Sequence, residues 1–143
     1  MMYILLGIPI YCFLFLGVIG INYAFNIGVS GTDGTRVNGA FTETGTTSID
    51  IANNFPAGAT NVLQAAAWTV ANTQAIFLLS SANMTIKTNS SGSPANTINL
   101  IAGVPLIWDA SAGYYTNPFT TNVTAFYVTC SSAALLQGAI LTT

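Results

Sequence analysis

Six side chains out of 143 carry formal charge, namely Asp33, Arg36, Glu43, Asp50, Lys87 and Asp109, and the chain has no histidine. General acid–base and nucleophilic chemistry needs proton carriers whose affinities are tuned by close neighbours, so the possible constellations are few. Without histidine there is no Ser-His-Asp triad and no imidazole-ligated metal. Asp33, Glu43 and Asp50 would form a glycosidase-like acidic pair only if their strands converge. Asp33-Gly34 already has a sufficient role as a turn, and Glu43 lies at a solvated strand end. The Asp-Gly pair lacks the remaining ligands of a calcium loop. The two cysteines, Cys12 and Cys130, have no CxxC or Cys/His spacing and read as small buried thiols. The sequence leaves open whether they meet. No catalytic residue, cofactor site or metal site is expected, and the chain reads as a non-enzyme.

Two cations cannot supply the phosphate contacts that drive nucleic-acid binding, so no nucleic-acid partner is expected. Average domains carry about a quarter charged residues, and a free monomer with so few would be poorly soluble. Much of this surface is therefore expected to face other protein. Disorder is excluded by a hydrophobic content of 52%. The polar remainder is Thr, Ser, Asn and Gly, a composition of strands and turns.

Residues 1–20, MMYILLGIPIYCFLFLGVIG, contain no charge and have the length of a membrane span. No Lys or Arg flanks them to mark a signal n-region or orient a span. Three readings stay open: a signal or anchor, an apolar arm buried against neighbouring subunits, or an upstream extension. Any membrane contact would be confined to this segment.

Residues 21–143 read as one domain of short strands. INYAFNIGV at 21–29 alternates, and SGTDGT turns it into a hairpin with residues 35–43. A third strand is expected at 46–51 and a loop at 53–60 around Pro56 and Gly58. Residues 61–70 read as a strand, with a short helix as the alternative. AIFLLS at 75–80 is compact enough for a strand buried on both faces. Strands follow at 84–89, 97–102, 104–109, 123–130 and 134–142, with Pro105 marking an edge or a strand start. Nine or ten short strands with regular turn signals predict an all-β antiparallel sandwich or barrel. Three N-x-S/T sequons, at Asn83, Asn89 and Asn122, are expected by chance in such a composition.

Trp108, Tyr114, Tyr115 and Phe119 cluster around the loop that follows residue 109. They are the candidate interface residues, since Trp and Tyr supply interface hot spots. A sugar platform and rings capping the core are the other readings.

The ordered phrases AIFLLSS, MTIKTNSSGSPANTINLIAGVPLIW and NPFTTNVTAFYVT, followed by a small-residue strand, resemble the small cement, staple or decoration proteins of tailed-bacteriophage heads. The resemblance covers residues 68–142 and is carried most by Lys87, Gly92, Pro94, Gly103, Pro105 and Trp108. It implies a jelly-roll-like sandwich, a place on the exterior of a virion head, self-association as a dimer or trimer, and a major capsid protein as partner. The rival expectation is an extracellular or cell-surface filament subunit that assembles by strand addition, with residues 1–20 as signal or anchor.

Overall fold

The computed structural model describes residues 21–30, 36–113 and 115–143. They form ten strands: β1 (Ile21–Ser30), β2 (Arg36–Gly45), β3 (Thr47–Phe55), β4 (Ala59–Gln64), β5 (Thr73–Ser80), β6 (Met84–Thr88), β7 (Thr97–Leu100), β8 (Leu106–Asp109), β9 (Phe126–Cys130) and β10 (Ala134–Thr142). A single 3₁₀ turn, Val70–Asn72, leads into β5.

Strands β1 and β2 pair as an antiparallel hairpin, from Ile21 opposite Gly45 to Ser30 opposite Arg36. The turn expected at Asp33-Gly34 lies outside the described residues, as do residues 1–20. The other eight strands form two antiparallel sheets, ordered β3-β10-β5-β8 and β4-β9-β6-β7. Counted along these eight strands, the orders are first-eighth-third-sixth and second-seventh-fourth-fifth, the arrangement of a jelly roll. The fold is thus all-β, an antiparallel sandwich, as expected. The sandwich itself occupies residues 47–142, and the hairpin stands as a separate two-stranded sheet.

Period-two patterning builds the core. Met84, Ile86 and Thr88 of β6 point inward opposite Cys130, Val128 and Phe126 of β9. In the facing sheet, Ile76, Leu78 and Ser80 of β5 lie opposite Ile140, Gly138 and Leu136 of β10. Gly138 is a close-approach site, because a Cβ there would sit 2.1 Å from the Phe77 carbonyl oxygen and 2.9 Å from Leu78 Cδ2. Leu78 fills the volume that a larger residue at 138 would need.

Several strand limits differ from those read in the sequence. Residues 53–55, expected in a loop, continue β3, because Phe55 pairs with Ala134 and drops into the core while Asn53 and Asn54 stay exposed at an edge. The segment 61–70 divides. Strand β4 ends at Gln64, and Trp68 then makes an isolated bridge to Val123. Strand β5 starts earlier, at Thr73, and is not buried equally on both faces. Ile76 and Leu78 are fully buried inward, whereas Phe77 and Leu79 on the outer face are half-buried. The outer face is tightest at Ala75 and Leu141, where the base of the hairpin arrives. A Cβ at Gly45 would lie 2.6 Å from Leu141 Cγ, and the Thr46 N–H donates to the Thr142 carbonyl at 2.8 Å.

Candidate functional site

An open sandwich has four edge strands, each a row of backbone groups available for pairing with another chain unless something blocks it. Here β3 carries exposed polar side chains at Asp50, Asn53 and Asn54. The amide of Asn53 donates to Gln64 Oε1, which ties β3 to β4 across the two sheets. Strand β4 is irregular between Ala59 and Val62, and Asn61 takes a left-handed φ of 51°. Strand β7 shows exposed Thr97 and Asn99. Strand β8 differs from all three in composition, Leu106-Ile107-Trp108-Asp109; like β3 and β7 it is regular and has one strand partner among the described residues, here β5.

Register decides where the β8 side chains go. Leu106 and Trp108 lie opposite the inward Leu78 and Ile76, and they pack on the rim of the core. Ile107 lies opposite Phe77 on the outer face. Pro105 directly precedes the strand, in keeping with the edge position expected for it. Beside β8 runs an apolar groove of about 290 Å³, lined by Leu106, Ile107, Trp108, Tyr115, Thr116 and Pro118. Its wall is fixed by the Trp108 indole Nε1–H, which donates to the Tyr115 carbonyl at 2.9 Å.

The four candidate interface residues therefore separate. Trp108 is half-buried on the groove, and Tyr115 is 79% exposed beside it. Tyr114 lies outside the described residues. Phe119 is only 1% exposed, so it is a core ring and not a surface one. It meets Trp68 edge-on at 5.1 Å and stacks on Phe126 at 5.9 Å. The bend that sends it inward is held by its own N–H, which donates to Asn117 Oδ1. Of the readings open for this loop, a ring packed on the core holds for Phe119, and the Asn117-Pro118 turn is the local feature that reverses it inward. Leu106, Ile107 and Pro118 are not among the expected surface residues, although an apolar run beside Pro105 is a usable signal.

No family model, curated protein or solved structure matches this chain.

The charged residues are also placed by the fold. Asp33 lies outside the described residues, and Asp50 sits on β3, where Ser48 donates to it. Glu43 is instead brought beside Asp109, with Ser111 between them. Ser111 Oγ lies 2.7 Å from Glu43 Oε1 and 2.8 Å from Asp109 Oδ1. A hydroxyl has one proton to donate, so the two carboxyls compete for the Ser111 hydroxyl proton. For Glu43, the Ser111 hydrogen bond favours ionisation, but partial burial and the hydrogen bond and charge of Asp109 outweigh it and raise the carboxyl above its ordinary range. For Asp109, partial burial is outweighed by hydrogen bonds from the Ser111 side chain, from Glu43, and from the Ser111 and Ala112 N–H groups, which lower it. The arrangement is a latch between hairpin and loop.

Lys87 Nζ donates to the Ser91 carbonyl at 2.9 Å and so closes the turn after β6. The three sequon asparagines are likewise engaged in the fold. Asn83 Oδ1 accepts from the Ala102 N–H, and Asn122 Oδ1 accepts from the Val70 N–H. Asn89 Nδ2 donates to the Asn122 carbonyl. Cys130 is a free buried thiol, and Cys12 lies outside the described residues.

Proposed function

We propose that this chain is a virion structural protein, a cement or decoration protein on the exterior of a tailed-phage head that bridges major capsid subunits. The observation that carries this reading is the combination of jelly-roll strand order with a surface almost free of charge. Viral capsid subunits are one recurrent use of the jelly roll, beside lectins and cupins, and interface cores are depleted of charged residues. Exposed apolar side chains at Val62, Leu63, Ile101, Val104 and Tyr115 supply small adhesive patches on different parts of the surface. Individually they are modest, but many copies on one lattice, each a dimer or trimer touching several subunits, add up through avidity. The mechanism is mechanical: each copy buries surface across a seam between subunits and so opposes their separation.

Co-sedimentation with intact shells tests this reading. The chain is expected to travel with assembled shells and to stay bound when salt is raised to about 1 M, because screening acts on charge pairs that this surface scarcely has. Recovery in a helical fibre or a membrane fraction would overturn it and favour the surface-subunit alternative.

A further inference from the structure

We propose that the β8 edge and its groove receive residues 1–20 of the same chain, added beside β8 as an extended apolar segment. Two observations meet here. The first is the groove, which pairs a regular strand edge, with no second strand partner among the described residues, with walls from Leu106, Ile107, Trp108 and Pro118 and no cation in its lining. The second is the point at which the segment joins the described fold. Ile21 opens β1 opposite Gly45, and Tyr23 lies opposite Glu43. Glu43 in turn holds Ser111, two residues past Asp109, the last residue of β8.

The twenty uncharged residues therefore enter within a few residues of the groove's end. Covering four residues of β8 takes about 13 Å of extended chain, and twenty residues reach roughly 66 Å. A tethered segment of this kind meets its groove at an effective concentration in the millimolar range or above. It also matches the groove chemically, since it carries no charge and is rich in Ile, Leu, Phe and Tyr. A second copy's β8 would have to bury its own Asp109 in the same seam without a cation to meet it. Strand addition by residues 1–20 would close the open edge and remove the chain's most apolar stretch from solvent. The inference rests on the fold and holds whether or not the particle is a phage head.

Photo-crosslinking of the full chain tests it. Tyr115→benzoylphenylalanine places the probe on an exposed position at the groove, and Thr116→benzoylphenylalanine provides a second position. Leu63→benzoylphenylalanine on β4 serves as the distant control. A mixture of isotopically light and heavy chains separates links within a chain from links between chains. The expected result is crosslinks from 115 and 116 to residues 1–20 of the same chain, with none from 63. Links to residues 1–20 of a second chain, links only to other segments or to lipid, or no links from either groove position would overturn the proposal.

Discussion

The two tryptophans show how one residue type serves opposite ends of a fold's economy. Trp68 is 7% exposed and packs edge-on against Phe119 at 5.1 Å and Phe126 at 5.6 Å, yet its indole N–H has no hydrogen-bond partner among the described residues. Trp108 is half-buried on an edge strand, and its N–H is satisfied by the Tyr115 carbonyl. The buried ring contributes area and aromatic geometry at the expense of an orphan donor. The rim ring gives up part of its burial and gains a hydrogen bond that shapes a groove. Core packing is therefore concentrated at Trp68, whereas Trp108 shapes the surface beside an edge strand.

Truncation breaks this contrast most severely. Trp68→Ala and Phe119→Ala each remove a ring from the same fully packed cluster, and each is expected to lower unfolding free energy by about 3–5 kcal/mol in denaturant titrations. Trp108→Ala removes a half-exposed ring and should cost about 1–2 kcal/mol in the same assay, while abolishing the groove wall. Equal losses at 68 and 108 would contradict the division between core and rim.

A subtler exchange sharpens the point. Trp68→Phe keeps an aromatic ring against Phe119 and Phe126 while deleting the orphan N–H, so relief of the unpaired donor offsets part of the lost packing. The net change is expected to stay within about 1.5 kcal/mol, well below that of Trp68→Ala.

The smallest effect belongs to the hairpin latch. Against the Ser111 hydrogen bond, Glu43 is raised by partial burial and by the hydrogen bond and charge of Asp109, whereas Asp109, against its own partial burial, is lowered by hydrogen bonds from Ser111, Glu43 and Ala112. A raised carboxyl opposes folding once the pH exceeds its folded value, and that cost vanishes below the ordinary carboxylate range. A lowered one favours folding above its ordinary range, and this gain disappears as pH falls through the folded value. Glu43→Gln deletes the first contribution and keeps the part of the second that the Ser111 and Ala112 hydrogen bonds supply. The variant should match or slightly exceed the parent in Tm at pH 7 and lose its advantage near pH 4. An unchanged Tm difference across that range would show that the two carboxyls do not interact.

Local pattern carried most of the strand map, because alternation and turn chemistry act within a few residues. Strand β10 runs over the residues expected from ALLQGAILT, and Pro105 marks both an edge and a strand start. The errors came where non-local packing overrode local composition. Asn53 and Asn54 look like loop residues, but they belong to an edge strand anchored by Phe55. Phe119 sits in an exposed-looking aromatic loop, yet it is drawn into the core by rings more than 6 residues away on β9 and, further off, at Trp68. The meeting of Glu43 with Asp109 depends on how a hairpin rests against a sheet, which no spacing in the sequence encodes. The surface character, by contrast, follows from composition alone, since six charges cannot cover a sandwich of this size.

The central claim is that this surface is built to be covered by copies of other subunits on a closed shell. Electron microscopy of the native particle that contains the chain tests it most directly. The account predicts an icosahedral shell with density for the sandwich on its outer surface, seated over seams between capsid subunits. A helical fibre built from the chain, or its presence only in a membrane, would contradict it.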